Sequence, residues 1–175
     1  MRRSTVLIAV LVALAPALPM RVTAADSAAE LQLRAERAIN NLKSSDSALT
    51  NLFEQSAGYA VFPNVRSSGP NGAVPVKGIL YEKGKPVGEA VLWENAAHPS
   101  GPFHETIFFE TAEAMQDFKE SRLIISTDID AVAAAEGAAL NVKYRKGIAV
   151  FVIPTSGLLE TINIGDQKFG YTPLG

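Results

Sequence analysis

Val76-Lys77-Gly78-Ile79-Leu80-Tyr81-Glu82-Lys83-Gly84-Lys85-Pro86-Val87-Gly88-Glu89-Ala90-Val91-Leu92-Trp93-Glu94 is the stretch that decides the fold class. Two apolar runs, Val76–Glu82 and 87–94, flank Lys-Gly-Lys-Pro, the pattern of a β-hairpin. Strands joined by so short a turn pair antiparallel, because a parallel crossover needs a dozen residues or more. Working outward, residues 59–62, 103–110, 123–126, 147–153, 157–164 and 168–171 read as further extended segments. Residues 64–75 hold Gly69, Pro70, Gly72 and Pro75 and read as a loop. It lacks the glycine spacing of a phosphate cradle.

Upstream the period changes. Ser27 and Glu30 have capping-box spacing. Ala28, Leu31, Ala35, Ala38, Ile39 and Leu42 then share one helical face, with Arg34, Glu36, Arg37 and Lys43 opposite. This predicts an amphipathic helix over 27–43. A second helix starts at Ser45 or Asp46, carries Leu49, Leu52 and Phe53, and stops near Gly58. Thr111 caps a third, which uses Ala114, Met115 and Phe118. The alanine-rich stretch 131–139 reads as a short helical turn broken at Gly137. The predicted architecture is α+β: two N-terminal helices and one inserted helix on a curved, mainly antiparallel sheet or partly closed barrel.

Composition narrows the function. The chain has 175 residues, no cysteine and a formal net charge of −2. Without cysteine there is no disulfide framework, thiolate metal site or cysteine nucleophile. Near-neutral charge argues against nucleic acid as a partner. Arg2 and Arg3, the apolar run 6–15 and the small residues Ala24 and Ala25 form an export signal over 1–25, cleaved after Ala24 or Ala25. Ten apolar residues are too few to span a bilayer, which takes about 20. The remainder, 26–175, reads as one domain, periplasmic or secreted and not lipid-anchored. Removing Arg2, Arg3 and Arg21 from 16 basic residues leaves 13 against 18 acidic ones, net −5. Between Glu89 and Glu136 there are ten acids and two bases, Lys119 and Arg122. Arg66, Lys77, Lys83 and Lys85 form a loose basic group, and Lys143, Arg145 and Lys146 enclose Tyr144 in a tighter one.

The order of several segments resembles the SYLF domain family in an exported bacterial form. Leu52-Phe53-Glu54-Gln55-Ser56-Ala57-Gly58-Tyr59-Ala60-Val61-Phe62-Pro63-Asn64-Val65 is similar to the family's opening signature. Gly78-Ile79-Leu80 and the lone Trp93 look like its glycine-led and tryptophan strands. Residues 127–137 resemble its acidic-alanine-glycine segment. Lys146-Gly147-Ile148-Ala149-Val150-Phe151, with Ser156-Gly157-Leu158-Leu159, resembles its closing strand pair. The resemblance spans roughly residues 30–172 and implies lipid binding; eukaryotic members bind phosphoinositides and fungal ones regulate actin. The chain departs from the pattern in its sparse Gly69, Gly72 and Gly78, in His98-Pro99-Ser100-Gly101-Pro102-Phe103-His104-Glu105, and in Glu160-Thr161 where a second closing glycine belongs.

The residues weigh against chemistry. His98 and His104 have no standard ligand spacing, and His104 and Glu105 point to opposite faces of a strand, so no metal or other cofactor is expected. No G-x-S-x-G elbow is present. Ser156 sits in a turn, and Asp128 and Asp130 read as a helix cap and a solvated acid. The expectation is a non-enzymatic binding protein for phospholipid or another amphiphile, with Lys143, Tyr144, Arg145, Lys146, Arg34 and Arg37 as candidate headgroup contacts. The alternatives are a periplasmic structural or protein-interaction module with a protein partner and, behind it, a hydrolase.

Overall fold

The computed structural model describes residues 24–66, 75–94, 102–126, 129, 131–141, 143–155, 164 and 166–174. The elements are α1 (Ala24–Ser45), α2 (Leu49–Gln55), β1 (Gly58–Val65), β2 (Val76–Glu82), β3 (Lys85–Glu94), β4 (Phe103–Phe109), α3 (Ala112–Lys119), β5 (Ile124–Ile125), β6 (Ala131–Ala133), a short 3-10 turn (Ala138–Asn141), β7 (Ile148–Pro154) and β8 (Gln167–Pro173). The eight strands form one sheet in the order β5-β8-β3-β2-β1-β4-β7-β6. Its pairs are antiparallel apart from β6 and β7, which run parallel. The sheet curls into a half-barrel, so the expected α+β architecture with three helices on a curved, mainly antiparallel sheet holds.

Both faces of the middle strands are buried, which is why β1 reads as an almost unbroken apolar run. Its even-numbered Ala60 and Phe62 face the concave interior with Leu80, Ala90, Leu92, Ile107, Phe109, Val150 and Phe169. Helix α3 closes that interior with Ala114, Met115 and Phe118. Tyr59 and Val61 face outward with Ile79, Tyr81, Phe108 and Phe151, and α1 covers them with Leu31, Ala35, Ala38, Ile39 and Leu42. The curl brings β8 round to β4 inside: Gln167 Nε2 donates to Glu105 Oε2 at 2.9 Å, and both residues are fully buried. Phe169 meets Phe62 and Phe118 at ring separations of 5.9 and 5.2 Å.

Several local expectations need correction. Helix α1 begins at Ala24, so Ser27 lies inside its first turn and is not its cap; alanine extends a helix readily. Pro63 does not end β1, because a bulge between Phe62 and Val65 carries the strand past it, with Asn64 at φ 68°. The start of 131–139 is not helical. Ala131, Val132 and Ala133 pair with Val150, Phe151 and Val152, and helix follows as the single turn Ala138–Asn141. Thr111 does cap α3, its side chain accepting from the Ala114 amide at 3.2 Å. Of the export signal expected over 1–25, residues 1–23 lie outside the described residues, and Ala24 and Ala25 open α1. Residues 157–163 of the strand expected at 157–164 and most of the loop expected at 64–75 also fall outside them, while Ile164 is buried and in no strand.

Candidate functional site

A cleft of about 620 Å³ opens between the N-terminal half of α1 and the ends of β1 and β2. Its lining includes Leu31, Pro63, Pro75 and Val76 as apolar surface and Arg34, Arg66, Lys77 and Glu89 as charges. Each follows from local structure. Leu31 belongs to the buried stripe of α1, and Arg34, one turn later, flanks that stripe at the solvent edge. Pro63 and Asn64 are the bulge. Lys77 shares the outward face of β2 with Ile79 and Tyr81, two residues apart in each step.

The cations are held but keep free donors. Arg34 Nη2 lies 3.0 Å from Glu30 Oε1, and Lys77 Nζ lies 3.1 Å from Glu89 Oε2. Arg66 donates through Nε to Asn64 Oδ1 at 3.3 Å. A guanidinium carries five N–H donors, so one such contact leaves capacity for an anion. Behind the lining, the Asn64 amide donates to Nδ1 of His104 at 3.2 Å. Burial pushes His104 below its ordinary value, which matches its role as an acceptor.

The candidates from sequence do not form one site. Arg34 lines the cleft, whereas Arg37 is exposed further along α1, outside the lining. Lys143, Arg145 and Lys146 are exposed at the opposite end of the sheet. Ile148 pairs with Phe109 and Phe109 with Gly58, while Ile79 pairs with Val61, so Val76 lies toward the far end of β1. Seven steps of roughly 3.3 Å put the two ends about 23 Å apart. The basic cluster is itself a turn. Arg145 and Ile148 exchange amide–carbonyl bonds of 2.9 and 3.1 Å around Lys146 and Gly147, both at positive φ. That is the two-residue hairpin geometry, and glycine suits its second place. Tyr144 is half-buried against the outward core, and its hydroxyl is raised first by burial and then by nearby Glu110.

His104 is half-buried while Glu105 is buried in the interior, so the two face opposite sides of β4 as expected. His98, Asp128, Asp130 and Ser156 lie outside the described residues. Among the described residues no group of three His, Asp or Glu is placed to hold a metal ion, and no helix is long and apolar enough to cross a membrane. Sequence reasoning missed the pairing of Arg34 with Arg66 and Lys77, which only the packing of α1 on the sheet creates. It also missed the Glu105–Gln167 contact. The signal was available: Glu105 interrupts the inward series Phe103, Ile107, Phe109.

No family model matches the chain. It is 28% identical over 155 residues to Beta cell expansion factor A of Aeromonas veronii, an alignment covering 84% of this chain and 58% of that protein. The chain therefore spans little more than half the length of this curated relative.

Proposed function

We propose that the protein is an exported, non-enzymatic binding protein whose ligand is a phospholipid or another phosphate-bearing amphiphile. The observation that carries this reading is the cleft, where Leu31, Pro63, Pro75 and Val76 lie beside Arg34, Arg66 and Lys77. An amphiphile needs that pairing: apolar surface for its tail and several N–H donors for its phosphate. The charged side chains of the cleft suit holding an anion rather than attacking one. The resemblance to SYLF domains supports the same ligand class, and the signal-like N-terminus supports a periplasmic or secreted site of action.

The test has two parts. Protein purified without detergent is extracted with organic solvent and the extract identified by mass spectrometry. Full-length protein is also sedimented with phosphatidylcholine–phosphatidylglycerol vesicles at low and high salt. The expected result is a retained phosphate-bearing amphiphile, or sedimentation that weakens as salt screens the cations. An empty extract together with no sedimentation at low salt would overturn the reading.

A further inference from the structure

Helices α1 and α2 and the segment 132–139 pack on the outward face of β2, β1, β4 and β7, but among the described residues that outward cluster includes none from β3, β8 or β5. The outward residues of these three strands follow from alternation. Leu92, Ala90, Phe169 and Ile125 face the interior, so Trp93, Val91, Lys168, Gly170 and Ile124 face out. Register sets them in rows. Trp93 pairs with Lys168 and Lys168 with Ile124; in the neighbouring row Lys77 pairs with Val91 and Val91 with Gly170.

Two further facts distinguish this shelf. Trp93 is 40% exposed and Ile124 52% exposed, both high for large apolar side chains. The indole also lies across Gly170, where a Cβ would come within 2.9 Å of its Cη2 and Cζ3 atoms, so the glycine leaves room for the ring to lie across β8. The shelf adjoins the cleft, since its Val91 pairs with Lys77, which lines the cleft. An amphipathic ring beside a lysine is the composition that sits at a lipid–water boundary.

We infer that the Trp93–Lys168–Ile124 shelf is the surface that lies on the lipid interface while the adjoining cleft takes a phosphate headgroup. The inference rests on the amphiphile-binding reading and extends it to a second, separately testable surface. The occupant is a lipid surface, because the row offers apolar side chains flanking one cation and adjoins a phosphate-suited cleft. Trp93, Lys168 and Ile124 are themselves exposed, so the indole and Ile124 reach the interface without unfolding anything.

Trp93 is the only tryptophan in the chain, so its fluorescence reports this surface alone. Full-length protein is titrated with phosphatidylcholine–phosphatidylglycerol vesicles, with and without lipids brominated on the acyl chain. The expected result is a blue-shifted emission and quenching by the brominated lipid. Ile124→Asp should weaken vesicle binding about ten-fold through withheld apolar contact. Lys168→Glu, also at an exposed position, should reduce it on anionic vesicles and serves if the first variant folds poorly. Sedimentation with vesicles but unchanged tryptophan emission would overturn the shelf and leave the cleft standing. No sedimentation of the parent protein would remove both.

Discussion

Neutralising the cleft and neutralising the distant turn remove the same charge from two places about 23 Å apart, which makes the pair a controlled comparison. The first variant is Arg34→Gln, Arg66→Gln and Lys77→Gln; the second is Lys143→Gln, Arg145→Gln and Lys146→Gln. A basic residue near an anionic lipid surface contributes about 1 kcal/mol. Three in the cleft would give about 3 kcal/mol, but Arg34 and Lys77 already share their charge with Glu30 and Glu89. The expected loss is therefore about 2 kcal/mol, roughly a thirty-fold weaker association. At physiological salt the screening length is about 8 Å, so charges at the far end of the sheet contribute little when the cleft is engaged. The second variant should bind within about three-fold of the parent. The assay is vesicle co-sedimentation at 0.15 M salt across a lipid titration, with circular dichroism to check folding. Equal losses in both variants would refute the reasoning, since the protein would then respond to net charge and not to the cleft. A loss confined to the second variant would move the headgroup site to the turn.

Three further outcomes test the structure. Tyr81 has a buried hydroxyl without a hydrogen-bond partner among the described residues and is pushed upward by burial, then by Glu36 and Tyr59, so Tyr81→Phe should stabilise the fold by about 1 kcal/mol in urea unfolding; a clear loss would mean the hydroxyl has a partner. Gln167→Leu withdraws a donor from the buried Glu105 carboxyl and should cost about 1–3 kcal/mol, whereas no change in the urea midpoint would remove the contact's structural role. Burial lowers His104 below 6.5, so the neutral form is favoured in the fold; its contribution is complete above that value and is lost as pH falls toward the folded-state value. His104→Gln keeps an acceptor for the Asn64 amide, and its unfolding midpoint should fall less than the parent's between pH 7.5 and 5. Identical pH profiles would contradict the assignment.

The parts legible from sequence are those governed by neighbours in the chain. The hairpin at 76–94, the apolar stripe of α1 and the Thr111 cap all depend on residues within a few positions. The strand past Pro63 was hidden because the bulge depends on β4, where His104 takes the amide of Asn64. Ala131–Ala133 has helical composition but lies beside β7, where pairing overrides propensity. The cleft required the register of β2 against β1 and the place where α1 crosses them, neither of which any local pattern encodes. The turn at Lys146–Gly147 drew attention because charge clusters are visible in sequence, whereas convergence from three elements is not.

The place of β8 has a consequence for how the protein is made. Among the described strands β5 pairs with β8 alone, and β8 also supplies Phe169 and Gln167 to the concave side. A nascent chain emerging N-terminus first therefore reaches β8 with the bowl still unsealed and α3 lacking part of its seat. Closure of the concave side waits for residues 167–173, which set both the edge strand β5 and the seat of α3.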